Sequence, residues 1–209
     1  MILLALWSVS CFSTFAHAQE SPRSVAPHTT MVIFADKRMQ DEQWVALFAA
    51  LRRDHASFAA TTPSLAGEVD LLRGDQVKPG LQVTTVISVF LRGDCTLIPR
   101  PRHVVLGALG WVPRGKAGIE PFINVDCSRL VDMLGPMALG MNRSVRNDVM
   151  AEAMTHVILH EWIHIATQSA RHSAHGVMRD QFGVADLLAD MSQPQGRETP
   201  RNQSKKRRI

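Results

Sequence analysis

Two imidazoles and a carboxylate fall within five residues, His160-Glu161-Trp162-Ile163-His164. On a helix, positions i and i+4 share a face one turn apart. Both imidazoles can therefore bind one Zn2+ at about 2.0–2.1 Å each. Glu161, next to the first of them, can reach a water on the metal without being a ligand itself. Zinc lowers the pKa of such a water toward about 7, and a carboxylate in this place takes the proton during attack. The spacing thus supplies two ligands and a general base together. The competing reading is a helix with two ordinary histidines and a core face of Trp162, Ile163 and Ile165.

Catalytic zinc needs a third protein ligand and an open fourth position. No Glu lies between Glu161 and Glu198, which excludes a third-ligand Glu on the following helix. The remaining candidates are His172, His175, Asp180, Asp186 and Asp190. His172 lies eight residues after His164, room enough for the helix to end near Thr167 and the chain to double back. His156 lies one turn before His160 on the same stripe. Three successive turns cannot all converge on one tetrahedral ion, so His156 reads as a core histidine or as a support for a ligand.

The run His160 to His164, seven further residues, and then His172-Ser173-Ala174-His175-Gly176-Val177-Met178-Arg179 resembles a group of small secreted bacterial zincin-like proteins. Their pattern is H-E-x-x-H, seven residues, H-S-x-x-G-x-M-R. The segment is also similar to the metzincins, in which a third His and a methionine turn follow the motif. The resemblance spans residues 156 to 182. It implies His160, His164 and His172 as zinc ligands, Glu161 as base, Met178 as a Met-turn residue, and a metzincin-like mixed sheet over the active-site helix. Two positions depart from it. Ala170 stands where metzincins place the third His, and Thr167-Gln168-Ser169 replaces the usual glycine where the chain leaves the helix. A left-handed residue without Gly costs about 1 kcal/mol, which a fold can absorb.

These groups need a scaffold. Residues 31–35 form an apolar run of strand length. Trp44, Leu47, Phe48 and Leu51 fall at i, i+3, i+4 and i+7 and predict a helix over residues 40–53. Residues 67–72 and 81–91 read as strands, and residues 104–111 as a bulged or irregular one because of Gly107 and Gly110. Residues 121–125 predict a short strand whose proline suits an edge or a strand start, and residues 128–134 a short helix. The motif helix runs to about Ala166, capped by Ser144 or Asn147, and a last helix is expected over residues 180–191. The order predicts a single α/β (α+β) domain with one mixed sheet, spanning residues 30–191.

The ends read differently. Residues 1–18 are apolar, uncharged in their side chains, and end in Ala16-His17-Ala18, a secretory signal pattern cut before Gln19. Residues 19–29 read as a flexible leader and residues 192–209 as a disordered basic tail. The chain of 209 residues has a formal charge of +4. That charge is concentrated in the tail, in Arg197, Arg201, Lys205, Lys206, Arg207 and Arg208 against Glu198. A fold built around a basic nucleic-acid-binding face is therefore disfavoured, and no apolar run is long enough for a membrane span. Cys11 leaves with the signal. Cys95 and Cys127 remain, either as one disulfide or as two buried thiols.

The expectation is a secreted or periplasmic zinc metallopeptidase, monomeric and acting on peptides or proteins. Its alternatives are a non-catalytic zinc-binding protein of zincin-like fold and a zinc hydrolase of non-peptide amides or esters. A substrate strand could add to a sheet edge, with residues 121–125 as the candidate. The chain has no tyrosine. Oxyanion stabilisation would then fall to zinc alone, a backbone N–H, Arg171, Arg179 or His175.

Overall fold

The computed structural model describes residues 28–60, 62–102, 104–173, 178 and 181–189. The expected signal peptide and basic tail lie outside the described residues, as do His175, Arg179, Asp180 and Asp190.

A five-stranded mixed sheet organises the chain, in the order β2-β1-β3-β7-β4. Strands β1 (His28–Ala35), β2 (Glu68–Arg73), β3 (Thr85–Arg92) and β7 (Phe122–Asp126) run parallel, and β4 (Gly110–Trp111) pairs antiparallel with β7. A separate hairpin joins β5 (Arg114–Gly115) to β6 (Gly118–Ile119). β1 starts inside the expected leader, because His28 and Thr29 pair with both neighbours or with one, and the His28 ring meets Asp70 Oδ2 at 2.8 Å.

Alternation sorts the two faces of the sheet. Ile87, Val89 and Leu91 of β3 and Ile123 and Val125 of β7 are buried in one core with α1 (Asp41–Ala59), α2 (Cys127–Leu134) and α3 (Arg143–Thr167). The opposite face carries Phe34, Phe90 and Phe122, whose ring centroids are 5.3 Å apart across β1 and β3 and 6.4 Å apart across β3 and β7.

α1 extends six residues beyond the expected Arg53. Asp54, His55 and Phe58 continue its buried side, so polar residues there do not end the helix. The His55 ring meets the Leu65 carbonyl at 3.0 Å and stacks on Trp162 of α3 at 4.9 Å. α3 begins at Arg143 rather than later, because the Asn142 side chain accepts the Val145 N–H at 3.0 Å. This satisfies one of the free donors of the first turn. Every residue from Met150 to His164 is buried except Glu152. α3 is thus the spine of the core as well as the carrier of the motif.

Three expectations are corrected. Residues 121–125 do not form an edge: Pro121 stops short of β7, which is internal between β3 and β4. Of residues 104–111 only Gly110 and Trp111 pair as strand. The stretch before them is a loop held to α2, where Arg129 donates to the Ala108 carbonyl at 2.9 Å. The helix expected over residues 180–191 is reduced, among the described residues, to α4 (Val184–Leu187), with extended backbone at Gly183 delaying its start.

Cys95 and Cys127 form a disulfide with a Cα–Cα distance of 4.8 Å, tying the chain after β3 to the start of α2. Among the described residues no helix is long and apolar enough to cross a membrane.

Candidate metal centre

The i, i+4 spacing on α3 brings His160 Nε2 and His164 Nε2 to 3.1 Å. His172 returns over them, its ring parallel to that of His160 at 5.3 Å and perpendicular to that of His164 at 4.9 Å. One ligand atom from each of the three histidines lies within 4.8 Å of the others. His160 and His164 are buried, whereas His172 is exposed.

The donor chemistry suits a divalent cation. The Ser169 carbonyl can only accept, so at 2.6 Å it takes the proton of His164 Nδ1. This leaves the lone pair of neutral His164 on Nε2, facing His160 Nε2. Two such nitrogens at 3.1 Å repel unless a cation or proton lies between them. A tetrahedral ion bound at about 2.0–2.1 Å would hold its nitrogens roughly 3.3 Å apart. Burial holds the His164 pKa below its ordinary 6.5; its hydrogen bond to Ser169 opposes this, and the charges of His172 and Arg114 reinforce it. The neutral, ligating form is therefore favoured.

Glu161 is buried, with Oε1 3.9 Å from His160 Nε2. Desolvation raises its pKa to about 7, near the value at which a carboxylate both takes and returns a proton under neutral conditions. Phe182 packs edge-on to His160 at 5.2 Å.

His156 is buried and is not one of the three clustered histidines, in line with a core histidine or a support; its Nδ1 donates to the Leu187 carbonyl at 2.9 Å. Asp186 is not part of the cluster; its carboxylate accepts the Gly183 N–H at 2.8 Å. Met178 packs against the core, and its carbonyl accepts the Ser173 N–H at 2.6 Å.

The helix exit solves its missing glycine with side-chain bonds. Gln168 adopts the left-handed conformation, φ 50°. Its Oε1 accepts the Ile119 N–H at 2.9 Å, and its Nε2 donates to the Ile119 and Ile165 carbonyls at 3.1 and 2.8 Å. These bonds pin the β5–β6 hairpin beside the cluster.

A cleft of about 630 Å³ opens on the three histidines and Glu161. Val105, Leu109, Met133 and Val157 are among its apolar lining residues; Trp111 comes from β4 and Arg114 from the β5–β6 hairpin. Arg171, one of the alternatives for oxyanion stabilisation, does not line the cleft. Arg114, Gly110 and Gln168 are the residues that sequence reading missed. Only Gln168 left a signal, as the occupant of a position that called for glycine.

Comparison with known proteins gives no match: no family model, curated protein or solved structure matches this chain.

Proposed function

We propose that this protein is an exported zinc-dependent metallopeptidase of zincin-like fold, with His160, His164 and His172 as metal ligands and Glu161 as general base. The observation that carries the reading is the convergence of three imidazoles beside a buried carboxylate on one cleft. Structural zinc sites are closed by four protein ligands, and a buried base has no use in them. Three nitrogen donors suit zinc. When bound, zinc supplies Lewis acidity toward a scissile carbonyl and toward water.

The chain's own groups do the rest. Glu161 accepts the proton of the attacking water and returns it to the leaving amine. The open side of β4 offers backbone groups along which an extended peptide can lie. The antiparallel edge strand beside α3 agrees with the zincin-like reading, and the Cys95–Cys127 disulfide agrees with export to an oxidising compartment.

The test is metal content together with peptide hydrolysis. Wild type should retain about one zinc per chain, and His160→Ala should lose it. Glu161→Gln should keep zinc and lose cleavage of a peptide library. A wild type that binds no divalent metal sinks the reading.

A further inference from the structure

Val157, Leu109 and Met133 line the cleft together with Arg114. Arg114 is paired across the hairpin with Ile119, and Ile119 is bonded to Gln168, four residues beyond His164. At 1.5 Å per residue that anchor lies about 6 Å past His164 along α3, while Glu161 lies about 4.5 Å to its other side. The hairpin that carries Arg114 is thus anchored past His164, on the side away from Glu161. Arg114 acts on His164 through its charge. Among the described residues it has no carboxylate partner. A cation that lines a concave site and pairs with no carboxylate among the described residues is a ready carboxylate receptor.

We propose that Arg114 is a specificity-determining residue that binds the carboxylate of an Asp or Glu side chain flanking the scissile bond, so that the cleft selects acidic peptide segments. The proposal rests on the peptidase reading and sharpens its substrate class.

Two measurements test it. In the first, zinc-loaded protein is given a peptide library with matched Glu and Gln twins at each position flanking the cleavage site. Wild type should favour the Glu twin at one position by about tenfold in kcat/KM. Arg114→Ala should bring that ratio to unity, and Arg114→Glu should turn the preference toward Lys. A ratio of unity in wild type overturns the proposal. So does a loss in Arg114→Ala shared equally by both twins, which would move the guanidinium to the reacting oxygen.

The second measurement follows binding without turnover, by Trp111 fluorescence in Glu161→Gln protein titrated with a glutamate-rich peptide and its glutamine twin. Tighter binding of the acidic twin, abolished by adding Arg114→Ala, supports the site even if wild type cleaves no peptide; in that case the peptidase reading alone falls. Cleavage with no acidic preference and equal binding leaves the peptidase reading standing and removes this one.

Discussion

Gly110 lies so close to Val157 that a Cβ on it would come within 2.3 Å of Val157 Cγ1 and 3.1 Å of Glu161 Oε1. The edge strand rests directly on the helix that carries the candidate base. Gly110→Ala must push β4 off α3 or displace the Glu161 carboxylate. Overpacking of this kind costs about 1–3 kcal/mol. The expected outcome is a lower melting temperature and at least about a tenfold loss of hydrolysis, since small displacements of a positioned base are costly in rate. Circular dichroism melts and kcat/KM measured side by side check it.

His172 is the exposed member of the cluster, so its removal should separate metal binding from folding. His172→Ala keeps both buried histidines and should fold with little change in metal-free stability. Its zinc affinity should fall by more than the about 10–100-fold typical of losing an outer hydrogen-bond partner. Added zinc should raise the melting temperature of wild type by linkage and shift the variant far less. Competition with a chelating dye gives the affinities.

His156 sets a pH dependence of stability. Burial lowers its pKa below 6.5, against the Leu187 hydrogen bond and the charges of Asp54 and Asp186. Above pH 6.5 the ring is neutral in both folded and unfolded chains, and the fold has its full stability. Below that value the unfolded chain takes up a proton that the folded one refuses, and stability falls until the folded pKa is passed. His55 acts in the same direction, lowered by burial and opposed by its bond to Leu65. His156→Asn, whose amide can still donate to Leu187, should flatten the loss between pH 7.5 and 5.5. Urea titrations at the two pH values give the slopes.

Gln168 offers a test in which two effects oppose. Gln168→Gly relieves a left-handed residue worth about 1 kcal/mol. It also deletes three side-chain bonds to Ile119 and Ile165, each worth about 0.5–1.5 kcal/mol. The net expectation is a modest destabilisation, with faster amide exchange at Ile119 as the hairpin loosens. A more stable Gln168→Gly protein with unchanged exchange would show that those bonds contribute nothing.

Much of the candidate metal centre was legible in the sequence because its spacing is local. His160, Glu161 and His164 share one helix, and a 3.6-residue period reports which of them meet. His172 came from the motif that follows. The sheet was legible as a set of strands but not as an order. Pro121 suggested an edge or a strand start for residues 121–125; it stands directly before β7, and pairing with β3 and β4 makes that strand internal, with two-residue β4 at the edge. No local pattern encodes such long-range neighbours. Arg114 escaped for the same reason: it reaches the cleft through a hairpin held by Gln168, forty-nine residues away from Ile119. Asp54 and His55 were read as the end of α1 because buried polar residues carry no periodic apolar signal.

The three histidines stand on ground of unequal firmness. Two belong to the helix at the centre of the core, where amides exchange with solvent only when the whole fold opens. The third sits on an exposed return of the chain, where smaller openings suffice. An ion held by the three histidines would therefore leave by one local excursion of residues 169–173 while α3 stays intact. Its residence time would be set by that short arm, and the emptied protein would stay folded and ready to take up another.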